Sequence, residues 1–177
     1  QALFLSCRSQ SPPKNNILTG LDQIAEYHHL FKNKKIGIIT NHTAVSRDGE
    51  HITDIFLNMS DVTVTALFGP EHGVRGHAAA GEHVDSHIDL LQNIPIYSLY
   101  GSTKKPTPDM LMNIDVLVFD IQDIGARFYT YIWTMFYAMQ AANENDIPFV
   151  VLDRPNPITG KVEGPILETE FSSFIGL

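Results

Sequence analysis

A chain of 177 residues, 44% hydrophobic and 18% charged, is long enough to bury one real core and too short for two full domains. Its 20 acidic residues outweigh 12 basic ones for a formal net charge of −8, and the lysines are scattered apart from Lys34-Lys35 and Lys104-Lys105, which argues against nucleic acid as a partner. The one cysteine, Cys7, excludes a disulfide framework or a cysteine metal site within the chain.

The opening Leu3-Phe4-Leu5-Ser6-Cys7 looks like the tail of a signal peptide with a lipoprotein cleavage site, where the cysteine becomes the lipidated first residue. It is too short to span a membrane. Phe4 and Leu5 depart from the usual lipobox, and a frayed terminus is the alternative. An exported protein, periplasmic or membrane-anchored through Cys7, is thus one expectation. Ser9 to Asn16 reads as a flexible tether, which sets residues 1–19 apart from the folded part.

From Gly20 helical and strand patterns alternate. Leu21, Ile24, Ala25 and His28 share a helical face, and Ile36-Gly37-Ile38-Ile39 follows as a buried strand. Ile52, Ile55 and Phe56 mark a second helix before a strand from Val62 to Phe68, and Ile94 to Leu99 is a third strand. Thr107-Pro108 predicts the cap and first turn of a short helix leading to a fourth strand, Val116 to Ile121. The longest helix is expected from about Phe128 to Asn143, with Phe128, Tyr131, Ile132, Met135, Phe136 and Met139 at helical spacing. Trp133 and Tyr137 widen that apolar surface, which implies burial on more than one side. A last strand, Pro148 to Leu152, ends in Asp153-Arg154.

This alternation predicts an α/β fold, a Rossmann-like, mostly parallel sheet with helices on both faces, over residues 20–165. After Pro157 the pattern decays, and residues 166–177 read as the start of a further region.

In such a sheet the carboxyl ends of the strands share one edge, so loops distant in sequence gather there. Four polar loops follow strands: Thr40-Asn41-His42-Thr43, the run from Gly69 to Gly76, the run from Asp120 to Arg127, and Asp153-Arg154-Pro155-Asn156-Pro157. No glycine-rich dinucleotide fingerprint or phosphate loop follows any strand, so the fold gives no warrant for a nucleotide. No cofactor is expected.

Gly69-Pro70-Glu71-His72-Gly73 is the sharpest signal, because flanking glycines permit a tight turn that holds a carboxyl and an imidazole at the edge. Desolvation in a partly closed cleft keeps a carboxyl protonated, and this makes Glu71 the candidate general acid, with His72 beside it. The alternative is a carboxylate that caps its loop or pairs with Arg75. Asp120 and Asp123 bracket the end of the fourth strand and offer a second carboxylate, although Asp120 serves equally well as a turn cap.

Arg75, Arg127 and Arg154 all fall in these loops, which points to an anionic ligand group or to internal pairing with neighbouring acids. With Asn41, His42, Gln122, Tyr129, Asp153 and Asn156 they complete the expected ligand-binding set. His42, His72, His77, His83 and His87 lack any metal-ligand spacing, and no metal is expected. Tyr129, Tyr131 and Trp133 are placed to stack on a sugar face or to fill the core.

At these four loops the sequence resembles a bacterial family, long catalogued as a domain of unknown function, of exo-acting β-N-acetylmuramidases. The matching segments are Ile38 to Thr43, Leu67 to Gly76, Asp120 to Tyr131 and Leu152 to Pro157. The resemblance implies a Rossmann-like N-terminal domain followed by a smaller C-terminal one, absent here, with the active site between them. It also implies release of N-acetylmuramic acid from the non-reducing ends of peptidoglycan fragments, with Glu71 as the acid. That sugar carries a lactyl carboxylate, in agreement with the arginines. An Asp acting on water or as nucleophile, or the sugar's own acetamido oxygen, remains open for attack at the anomeric centre.

Overall fold

The computed structural model describes residues 17–76, 86–89 and 92–176. The lipobox-like stretch with Cys7, the tether, His77 and His83 lie outside them. Six strands form one sheet: β1 (Lys34–Thr40), β2 (Val62–Gly69), β3 (His87–Asp89), β4 (Ile94–Ser98), β5 (Val116–Asp120) and β6 (Phe149–Val151). Among the described residues two α-helices accompany it, α1 (Ile52–Leu57) and α2 (Tyr131–Glu144). The strand order is β3-β4-β2-β1-β5-β6, and every pairing is parallel except the antiparallel β3 with β4.

β1 and β5 are buried along both faces, which is why their sequences run apolar instead of alternating. The pleat still sorts them. Ile36, Ile38, Val116 and Val118 join one core with Leu21, Ile24, Phe31, Ile52 and Phe56, whereas Ile39, Leu117 and Phe119 join the other with Phe68, Leu111 and the alanines of α2. The sheet is thus covered on both faces, as its sequence predicts.

Three expectations need correction, and one element was not expected at all. The helix expected after Gly20 is instead two 3-10 turns, Leu21–Gln23 and His28–Leu30, held by bonds between residues three apart such as Ile24 N–H to the Leu21 carbonyl at 3.3 Å. Tertiary contact overrides propensity here: the Gly20 N–H bonds the Asp153 carbonyl at 2.8 Å, and a Cβ on Gly20 would stand 2.6 Å from Leu152 Cα. The segment lies flush on the end of β6.

Thr107-Pro108 does start a turn, with Thr107 Oγ1 accepting the Met110 N–H at 3.4 Å, but only turns follow. Asn113 adopts a positive φ of 66° and stops any helix from propagating.

The third correction concerns α2. Its sheet-facing residues are Tyr131, Thr134, Ala138, Ala141 and Ala142, whereas Phe128, Ile132, Phe136 and Met139 are exposed. Small side chains let the helix axis approach the sheet closely, and the bulky stripe is left outside. The unexpected element is β3, which the pattern did not announce: three residues at an edge are too few to show alternation.

Candidate functional site

From β1 the chain moves outward through β2 and β4, then crosses back to place β5 and β6 on β1's other side. The carboxyl ends of β1 and β5, where Thr40 is in register with Asp120, therefore flank the switch point at which open α/β sheets bind ligands.

Asn41 sits there, fully buried. Its Oδ1 accepts the Thr43 N–H at 3.0 Å and the Thr43 hydroxyl at 2.5 Å. Thr43 Oγ1 in turn accepts the Gln122 N–H at 3.0 Å, which ties the loop after β1 to the loop after β5. The Asn41 carbonyl can only accept, so the His51 Nε2, 2.9 Å away, carries the imidazole proton. His51 Nδ1 accepts from the Thr53 hydroxyl at 2.8 Å and caps α1 through the Thr53 N–H. Burial holds His51 below its ordinary pKa; Arg75 and Arg154 push the same way, against the Asn41 carbonyl and Asp54.

Glu71 lies on the turn that follows β2. His72 and Gly73 both have positive φ, 72° and 73°, and a Cβ on Gly69 would meet Val74 N at 2.8 Å, so the turn folds back tightly on its own strand. The Leu99 N–H bonds the Gly69 carbonyl at 2.8 Å, which carries Tyr100 to the same edge. Burial raises the Tyr100 phenol, and the charge of Glu71 with its hydrogen bond raises it further. Tyr131, at the start of α2, is raised by burial first and by Glu71 and Tyr129, while the Asn41 amide opposes the rise. Both phenols stay protonated donors beside the Glu71 carboxyl.

Asp120, fully buried, gives both oxygens to Arg154: Nε reaches Oδ1, and Nη2 reaches Oδ2 at 3.0 Å. Burial pushes the Asp120 carboxyl up, and the guanidinium pulls it back. Arg154 Nη2 also donates to the Val45 carbonyl at 3.1 Å, so one side chain clamps three loops. Arg75 lies 3.4 Å from Asp54, both about half exposed.

The remaining expected residues line the outer part of the edge. Gln122 Nε2 donates to the carbonyls of Asp123 at 2.6 Å and Pro155 at 3.0 Å, and Asp123 Oδ1 accepts the Gly125 N–H at 2.5 Å. Arg127 donates to the Pro165 carbonyl at 2.5 Å, and Asn156 Oδ1 accepts the Ile158 N–H at 2.9 Å. Tyr129 is half-buried, Asp153 and His42 are exposed, and His42 packs against Gly76. Asp123, Arg127, Arg154 and Asn156 border a cleft of about 1010 Å³ that Leu167, Phe171 and Ile175 also line. Glu71, His72 and Asn41 do not line it.

The residues expected to share one cleft therefore form two groups on one edge. An inner group surrounds Asn41 and Glu71, and an outer one surrounds Asp123 and Arg127. Gln122 belongs to both. Tyr100 and His51 were not singled out from sequence, and Thr43 was named only as part of its loop; the signal for Tyr100 was its place just past a strand end. Among the described residues no three His, Cys, Asp or Glu side chains gather to hold a metal, and His87 is exposed on β3. No described helix is long and apolar enough to cross a membrane.

Comparison with known proteins matches residues 36–177 to the family described as exo-beta-N-acetylmuramidase NamZ, N-terminal. A peptidoglycan beta-N-acetylmuramidase NamZ of Bacillus subtilis (strain 168) is 56% identical over 172 residues, which cover 96% of this chain and 42% of that protein. Two crystal structures of DUF1343 family proteins from Bacteroides fragilis NCTC 9343 share the fold: one at 48% identity and a TM-score of 0.83, covering 93% of this chain and 41% of that one, the other at 39% and 0.75, covering 90% and 40%. The chain thus spans about two fifths of the length of these relatives. With a match over most of its length and a relative at 56% identity, the chain belongs to the exo-β-N-acetylmuramidase N-terminal domain family.

Proposed function

We propose that this chain is the sheet-bearing part of a glycoside hydrolase that releases N-acetylmuramic acid from the non-reducing ends of peptidoglycan fragments, with Glu71 as general acid. One observation carries the assignment of the acid: Glu71 stands on a tightly folded turn at the carboxyl edge, in electrostatic reach of two phenols from different elements. On this reading the turn holds the carboxyl ready to protonate a leaving oxygen. The half-buried Asp123 is the nearer fit to a second carboxylate, because Asp120 is fully engaged by Arg154.

The arginines narrow in the same way. Arg154 and Arg75 face Asp120 and Asp54, whereas Arg127 is exposed on the outer cleft and bound to a backbone carbonyl. Arg127 is therefore the arginine we assign to the lactyl carboxylate. Export and lipid attachment at Cys7 belong to the same proposal and follow from a cell-wall substrate.

Turnover of a chromogenic β-N-acetylmuraminide by the full-length protein tests the reading. Glu71→Gln keeps shape and loses the proton, so the rate should fall by on the order of 10²- to 10⁴-fold with affinity retained. Near-normal turnover would reduce Glu71 to a structural part. A non-catalytic muropeptide-binding module is the second reading, favoured by the engagement of Asp120 by Arg154, which takes one candidate carboxylate out of an acid/base pair. Sugar binding without turnover, by both this chain and the full-length protein, would establish it.

A further inference from the structure

Asn41 leaves β1 at the switch point, out of contact with water, and the two ends of its amide are in different situations. Oδ1 receives the Thr43 N–H and the Thr43 hydroxyl. A backbone N–H can only donate, so the atom facing it must be the oxygen, and the amide orientation is settled by its partners. Nδ2 has no hydrogen-bond partner among the described residues. The Tyr131 hydroxyl is its polar neighbour, near enough for the Asn41 amide to lower that phenol as a hydrogen-bonding group, although the pair does not reach ordinary hydrogen-bond geometry.

Buried polar groups in folded proteins are almost always satisfied, and an exception needs a cause. Here three devices hold the donor in place: Thr43 fixes the oxygen, His51 fixes the backbone carbonyl, and Gln122 fixes Thr43. Such support is what a ligand-binding group requires. The chemistry of the wanted group follows from the neighbours. Two donors, Asn41 Nδ2 and the Tyr131 hydroxyl, lie side by side, which suits one oxygen with two lone pairs. A carboxylate has such oxygens, but the arginine assigned to one, Arg127, lines the outer cleft, which Asn41 does not. A hydroxyl brings a proton that needs its own acceptor. An amide carbonyl has neither fault.

We propose that Asn41 Nδ2 donates to the carbonyl oxygen of the sugar's 2-acetamido group, and that Asn41 is the residue through which the site requires an N-acetylated ring. This rests on the muramidase reading and names the part of the substrate that reading left unassigned. Asn41 is here a specificity-determining contact, separate from the acid.

Equilibrium binding to the full-length protein tests it, with N-acetylmuramic acid compared against 3-O-lactylglucose, in which a hydroxyl replaces the acetamido group. The wild-type protein should prefer the N-acetyl sugar by about tenfold or more. Asn41→Asp retains both acceptor bonds from Thr43 and removes the donor, and Asn41→Ala removes it without adding charge. In either variant the preference should collapse to within about twofold, while 3-O-lactylglucose binds within about threefold of wild type. An unchanged preference in a folded variant would overturn the assignment and leave Nδ2 to a buried water. Equal loss of both sugars would overturn it too, since the donor would then serve another group. Should neither variant fold, the wild-type protein still decides, because the N-trifluoroacetyl sugar has a poorer carbonyl acceptor and should bind more weakly; equal or tighter binding refutes the contact. Failure of the wild-type protein to bind any of these sugars would refute the muramidase reading itself, whereas binding without preference for the acetamido group refutes only the role of Asn41.

Discussion

Arg127 and His51 show how much the partner of a single charged group decides. Arg127 has a carbonyl where Arg75 and Arg154 have carboxylates, so its charge is not cancelled by the group it touches. Arg127→Met in the full-length protein should weaken N-acetylmuramic acid by at least about tenfold and leave N-acetylglucosamine, which lacks the lactyl group, nearly unchanged. Competition binding with the two sugars reads this directly, and equal loss of both would assign Arg127 to holding the Pro165 segment of the cleft. His51 titrates instead of binding. It must stay neutral, because Nδ1 accepts from Thr53, and its folded pKa lies below the ordinary 6.5. The unfolded chain therefore binds the proton first. The stability His51 contributes is present above about pH 6.5 and is lost as pH falls through the folded value. Thermal midpoints measured from pH 7 downward should drop, and in His51→Asn, which keeps a capping side chain, this part of the drop should vanish.

At the level of elements α2 is the instructive case. Ala138, fully buried against the sheet, leaves no space, so Ala138→Leu should cost about 1–3 kcal/mol by overpacking. Met139 is 45% exposed one position further on, and Met139→Gln should change stability by no more than about 0.5 kcal/mol. Denaturant titrations of this chain distinguish the two, and the reverse order would mean that the helix is rotated. The bulky spacing of Phe128, Ile132 and Phe136 was legible as a helix, but not as its orientation. Periodicity finds the heaviest stripe, whereas close approach to a sheet selects the smallest residues. β1 and β5 were readable as apolar runs and β2 as a Val-Thr alternation leading into one, and the 3-10 turns near Leu21 were not, because the contact of Gly20 with Leu152 is made 132 residues away in sequence. The site was legible as loops on one edge. What the sequence could not show was pairing: which arginine meets which acid, and that Asn41 keeps a donor in reserve.

For the whole molecule, burial and pairing predict a gradient of local stability. β1 pairs on both sides and its last five residues are buried, β5 is buried throughout, and the chain beyond Asn156 is nearly all exposed. Amide exchange in β1 and β5 should be slower than in residues 158–176 by on the order of 10³-fold or more, since the strands open only with global unfolding. Comparable rates would show that the tail folds as part of the core. The parallel arrangement has a practical consequence as well. Every loop with chemistry leaves the carboxyl edge, and β1, seven residues long, puts about 23 Å between that edge and the other. The opposite edge, where Lys34, Asp61 and Asp115 lie, is thus a place for a linker, a label or a solid support, and a molecule immobilised there would present its carboxyl edge outward.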